Sequence, residues 1–167
     1  AQQRGKIKLI YNAGILKELG FRNDNVTLYT SEAGDASIKS YSVYATLEEY
    51  FPPMTKEELE FSPRLSILQP VHDFGRLKND QKQIFDFVLK NSGKKPLSIR
   101  SIKPNCSCVK ATTEKDEIDV GGNIHLTVIF DPSGRKGNQQ KSVTIFTNDP
   151  TASAQRVTVK AYVESGL

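Results

Sequence analysis

With 167 residues, a formal net charge of +4, 37% hydrophobic and 25% charged residues, no Trp, two Cys and two His, the chain excludes several classes. No apolar run approaches the roughly 18 to 20 residues that cross a bilayer as a helix, and two cysteines are too few for a disulfide scaffold. The length allows one domain or one and a half at about 100–200 residues per domain. The charge is uneven: residues 1–62 carry 7 Lys/Arg against 9 Asp/Glu, a net of −2, and residues 63–167 carry 16 against 10, a net of +6. The opening Ala1-Gln2-Gln3-Arg4-Gly5-Lys6 has no apolar signal-peptide core, which fits a cytosolic protein and a mature secreted one alike.

In chain order, residues 5–12, 25–31 and 41–47 alternate apolar and polar side chains with the period of two that marks half-buried strands. Residues 48–62 break the pattern. Pro52-Pro53 stiffens the chain there, and Thr55 with Glu58 three residues on spells a capping box for a short helical turn. This stretch reads as an interdomain linker. Alternation returns at residues 65–67, 71–77, 83–89, from 97 onward, and at 124–130, 143–146 and 157–163. Turns come from Asn91-Ser92-Gly93-Lys94-Lys95-Pro96, Asp131-Pro132-Ser133-Gly134 and Thr147-Asn148-Asp149-Pro150. About seven short strands at this spacing predict an all-β chain with one complete immunoglobulin-like β-sandwich over residues 63–164. The front strands parallel three of the back ones in order: 5–12 with 124–131, 25–31 with 142–148, and 41–47 with 157–163. Residues 1–47 therefore read as a partial second β-sandwich copy, the second half of a domain.

Five segments, His72-Asp73-Phe74-Gly75, Phe85-Asp86-Phe87-Val88-Leu89-Lys90-Asn91-Ser92-Gly93, Leu97-Ser98-Ile99, Cys106-Ser107-Cys108 and Thr147-Asn148-Asp149-Pro150, resemble in their order and spacing the domain-of-unknown-function 1573 family. That family is related to the ASH and PapD-like immunoglobulin folds and is common in secreted or lipid-anchored envelope proteins of Bacteroidetes-type bacteria. The resemblance covers residues 63–164. It implies a fold and a location, the periplasm or cell surface of a Gram-negative bacterium, with room for a lipid anchor upstream of this chain. It implies no activity. The front copy lacks the earlier strands and the Cys-x-Cys element.

Cys106-Ser107-Cys108 is the sharpest local feature. On an extended strand both sulfurs would share one face, with Cα atoms about 6–7 Å apart. That is at the long edge for a disulfide, so a bridge needs a bend, which Pro104-Asn105 can supply. Three chemistries stay open: paired structural thiols or a disulfide, a thiol redox pair, and soft-metal ligation of Cu(I) or Zn. Ligation needs further donors, and His72 is the candidate. His125 alternates with Ile124 and Leu126 and is expected to face solvent.

In the back domain Lys94, Lys95, Arg100, Lys103, Lys110, Arg135, Lys136, Lys141, Arg156 and Lys160 exceed the local acids and read as a solvated surface that guards strand edges, with binding to an acidic surface polysaccharide or an anionic protein as the alternative. No basic helix and no interleaved exposed aromatics favour nucleic acid. No Gly-rich phosphate loop, His-Glu-x-x-His or nucleophile motif favours catalysis, and no cofactor is implied. The expectation is a non-enzymatic cell-envelope module for interaction, assembly or scaffolding, with an envelope protein or surface polysaccharide as partner. The alternative is thiol redox or Cu/Zn handling through Cys106 and Cys108. Because half a sandwich exposes an apolar face and an open edge, residues 1–47 are expected to form a homodimer or to pack on the back domain through Tyr50 and Phe51.

Overall fold

The computed structural model describes residues 6–15, 18–32 and 34–164. The chain divides into two compact units, residues 1–47 and 48–167.

The first unit is built on a hairpin. β1 (Gly20–Tyr29) and β2 (Ile38–Leu47) pair antiparallel along their whole length, from Gly20 opposite Leu47 to Tyr29 opposite Ile38. The amide of Thr30 donates to the carbonyl of Ser37 at 2.7 Å and closes the loop, which Lys39 and Glu32 brace at 2.8 Å. Residues 6–12, expected as a strand, are not one. Ile7 and Leu9 alternate with Lys6 and Lys8 as expected, but among the described residues the segment has no ladder partner. Ile7 and Leu9 instead line an apolar groove of about 320 Å³ with Val26, Leu28, Tyr41 and Val43, and the Tyr11 hydroxyl donates to Asp24 Oδ2 at 2.8 Å. Side-chain contact replaces backbone pairing.

The second unit is the sandwich. α1 (Lys56–Glu60) opens it with the expected capping box: Thr55 Oγ1 accepts from the Glu58 amide at 3.2 Å, and Glu58 Oε2 accepts from the Thr55 amide at 2.8 Å. Among the described residues nine strands follow: β3 (Leu65–Ile67), β4 (Val71–Leu77), β5 (Gln83–Asn91), β6 (Leu97–Pro104), β7 (Val109–Thr113), β8 (Glu117–Ile118), β9 (Asn123–Phe130), β10 (Gly137–Thr147) and β11 (Ala154–Val163). They form a five-stranded sheet, β4-β11-β10-β6-β8, and a four-stranded sheet, β3-β5-β9-β7. All pairings are antiparallel except β4 with β11.

Alternation decides what is buried. β9 turns Ile124, Leu126, Val128 and Phe130 inward, β5 turns Phe87 and Leu89 to meet them, and β10 and β11 contribute Val143, Ile145, Val157, Val159, Ala161 and Val163 from the other sheet. These side chains form one continuous core. Residues 48–62, read from sequence as a linker, belong to this unit. Arg100 grips Glu49 with two nitrogens at 3.0 and 3.2 Å, Lys94 Nζ lies 2.9 Å from Glu60, and the Lys94 amide donates to the Ser62 carbonyl at 3.0 Å.

Candidate functional site

Two places in the second unit carry chemistry. The first is the turn from β6 to β7. Asn105 pins it to β10: its amide donates to the Ser142 carbonyl at 2.9 Å, and its Oδ1 accepts from the Ser142 amide at 3.0 Å. The chain bends at Asn105 and Cys106 and turns through Ser107 and Cys108. This brings the two cysteine Cα atoms to 5.2 Å, and the sulfurs are joined as a disulfide. The backbone leaves the extended form that would hold them farther apart.

The two sulfurs have different surroundings. Cys108 is 8% exposed and belongs to the core, whereas Cys106 is half-buried at its margin. Two donors converge on Cys106 Sγ, Arg135 Nη2 at 3.3 Å and the Cys108 amide at 3.2 Å. Arg135 Nε is buried without a hydrogen-bond partner. Nearby, the Asp131 amide donates to the Cys108 carbonyl at 2.9 Å. Hydrogen bonds from Ser133, helped by Lys82, hold the Asp131 carboxyl below the usual carboxylate range. His72 is elsewhere engaged: its ring stacks on Phe85 at 3.6 Å between centroids and meets Phe74 edge-on at 4.6 Å. Among the described residues no group of three or more His, Cys, Asp or Glu is placed to hold a metal ion, so His72 and the cysteines do not come together as a ligand set. His125 is exposed, with Nδ1 3.6 Å from Glu114.

The second place is the outer face of the five-stranded sheet. Because Val157, Val159, Ala161 and Val163 face the core, Arg156, Thr158, Lys160 and Tyr162 face out. Register places Thr144 between Arg156 and Lys103, Ser142 and Val71 beside Thr158, Gln140 and Asp73 beside Lys160, and Asn138 and Arg76 beside Tyr162. Gly75, at φ +71°, takes up the bulge in β4 that restores this facing, and its amide donates to Asp73 Oδ1 at 2.8 Å. The Arg76 guanidinium lies 4.9 Å from the Tyr162 ring centre and 4.0 Å from Glu164. Arg76, Tyr162, Gln140, Lys160 and Asp73 line a groove of about 400 Å³. Arg156 and Lys160 do not guard an edge, since β11 is an interior strand, whereas Arg76 lies on the edge strand β4 and Lys103 lies on β6 beyond Leu97 and Ser98, the two residues that β8 pairs. The signal was present in the sequence as the alternation Arg156-x-x-x-Lys160 opposite the valines. The sequence offers these residues among the basic ones of the back domain, and the strand register is what puts them on one face.

The family model described as a protein of unknown function, DUF1573, matches residues 65–163. The chain belongs to the DUF1573 family. Its sandwich is also similar to solved structures. A protein of unknown function from Porphyromonas gingivalis matches with a TM-score of 0.65 and 23% identity, covering 87% of this chain and 66% of that one, so this chain spans just under two thirds of that relative's length. The ASH/PapD-like domain 7 of human CEP192 matches with a TM-score of 0.53 and 11% identity, covering 73% of this chain and 99% of the domain. No curated protein matches. These likenesses establish the PapD-like, immunoglobulin-like fold.

Several polar residues of the DUF1573 segments are engaged in holding that fold. Buried Asn91 donates through Nδ2 to the carbonyls of Lys95 at 2.8 Å and Ile118 at 3.0 Å, and its Oδ1 accepts from the Gly93 amide at 2.9 Å. Asn148 Oδ1 accepts from the Ser98 amide at 2.7 Å. Buried Asp149 accepts from the amides of Leu65 at 3.0 Å and Thr151 at 2.8 Å. Asn91, Asn148 and Asp149 therefore read as turn-builders.

Proposed function

We propose that this chain is a non-enzymatic cell-envelope module of a Gram-negative bacterium that binds an acidic surface polysaccharide across the outer face of its five-stranded sheet. One observation carries the reading: Arg76, Lys103, Arg156 and Lys160 share that face with uncharged hydrogen-bonding side chains and with Asp73 as the carboxylate in the same rungs. A cationic strip with Thr, Ser, Asn and Gln between the charges suits a polymer that is both anionic and rich in hydroxyls. The bridged cysteines support a place in the periplasm or at the cell surface, since disulfides persist in oxidising compartments.

The test is titration of the full chain with polygalacturonate, with neutral dextran as control. Binding is expected to polygalacturonate alone and to weaken steeply between low and physiological salt, because exposed charges are screened over about 8 Å at 0.15 M. The triple variant Lys103→Ala, Arg156→Ala, Lys160→Ala should lower affinity at least tenfold, and Lys94→Ala with Lys95→Ala, away from the face, should leave it unchanged. Equal binding to dextran, or equal losses in the two variants, overturns the reading.

A further inference from the structure

The β6–β7 turn differs in kind from the outer face, and it carries an inference of its own. A bonded disulfide sulfur is neutral and a weak acceptor, yet a guanidinium and a backbone amide both point at Cys106 Sγ, at 3.3 and 3.2 Å. Such donors suit a sulfur that bears negative charge, because hydrogen bonds from a cation to an anion are about twice as strong as neutral ones. Arg135 reaches this position with its Nε buried and unpartnered, an unfavourable arrangement that a thiolate beside the guanidinium would offset. The other sulfur has no such support and lies in the core.

We propose that Cys106 and Cys108 form a reversible thiol exchange site whose partner is a dithiol, with Cys106 as the sulfur that meets the partner and Arg135 as the group that stabilises its thiolate. The exposure difference sets the order of events. A partner thiolate attacks the half-buried Sγ of Cys106, and the Cys106–Cys108 bond breaks with its electron pair on Cys108 sulfur, which takes a proton from solvent. The partner's second thiol loses its proton and attacks its own sulfur in the mixed disulfide. Cys106 then leaves as a thiolate facing Arg135 and the Cys108 amide. The protein disulfide has gained two electrons and the partner dithiol has become a disulfide. In the reverse direction the Cys106 thiolate attacks a partner disulfide, and Cys108 resolves the intermediate. The two cysteines take no part in polysaccharide binding, which uses the outer face of the five-stranded sheet.

The charged and titratable groups on the elements meeting at this turn are Arg100 and Lys103 on β6, Lys110 on β7, His125 on β9, Asp131 beyond β9 with its partner Lys82, Arg135 and Lys136 before β10, and Lys141 on β10. Cations predominate, and the single carboxylate is already paired. The full chain, reduced with dithiothreitol and freed of it, is pulsed with iodoacetamide at a series of pH values, and each cysteine is quantified by peptide mass spectrometry. Cys106 is expected to label at least tenfold faster than Cys108 at neutral pH, with a midpoint below the ordinary thiol value of about 8.5. Arg135→Gln should move that midpoint up, and Arg135→Lys should restore it in part. The wild-type profile alone decides the matter if either variant fails to fold. A disulfide that dithiothreitol does not open in the folded protein, faster labelling of Cys108, or a Cys106 midpoint at or above 8.5 overturns the proposal.

Discussion

Asn91 uses both ends of its amide on backbone groups around the turn. The Asn91→Ala variant removes this partner from the Lys95 and Ile118 carbonyls and the Gly93 amide, at roughly 1–3 kcal/mol for each group left wholly unpaired. Relaxation and entering water recover part of that, and a net loss of about 3 kcal/mol is expected from the shift of the urea midpoint. Asn91→Asp should be at least as damaging, because a carboxylate cannot donate to two carbonyls and would bring a buried charge against them. An Asn91→Asp variant as stable as the original chain would contradict this account of the turn. Gly93 is constrained differently: a Cβ there would collide with the backbone of Ser62, Pro63 and Arg64. Gly93→Ala should therefore cost about 1–3 kcal/mol by overpacking, although the glycine's φ is not positive. The polar residues of the resemblance could be found in the sequence, but their task could not. Asn91, Asn148 and Asp149 contact groups 27 to 84 positions away, and such partners have no local signature.

At the scale of elements, strands with strict alternation were legible because burial follows the period directly, as β9 shows with its inward Ile124, Leu126, Val128 and Phe130. Residues 6–12 were not, because apolar composition says nothing about whether a neighbouring strand is there to pair. The Cys-x-Cys bend was foreseen from Pro104-Asn105. Arg135 at Cys106 was not, since only the return of the chain from β9 to β10 brings it there. α1 was legible from its capping box, and that box carries a pH prediction. Its hydrogen bonds with Thr55, backbone first and side chain second, hold the Glu58 carboxyl below its ordinary value. The contribution of the ionised box is thus fully present above the unfolded Glu value of about 4.3 and fades as pH falls through the lower folded value. In a pH series of NMR spectra the Thr55 amide should shift with a midpoint below 4.3. The Glu58→Gln variant keeps an acceptor at this position and should abolish that titration. A midpoint above 4.3 would mean that the box is open in solution.

For the whole molecule, the sequence suggested a half domain, a tether and a complete domain, whereas the boundary of the two compact units falls between Leu47 and Glu48. Two prolines and several charges look like solvated chain until their partners are known. Arg100 and Lys94, which hold Glu49 and Glu60, lie 51 and 34 positions away, and Ser62 is buried. This assignment predicts the behaviour of fragments. Residues 48–167 contain the complete core cluster and should unfold in urea as a single two-state transition without the front unit. Starting instead at residue 65 removes both ion pairs, each worth about 0.2–1 kcal/mol when exposed. It also removes the Ser62 carbonyl that accepts from Lys94, worth about 0.5–1.5 kcal/mol. The shorter fragment should therefore be less stable by about 1–3 kcal/mol. Equal midpoints for the two fragments would return residues 48–62 to the role of a passive tether, and failure of the longer one to fold would mean that the sandwich depends on residues 1–47.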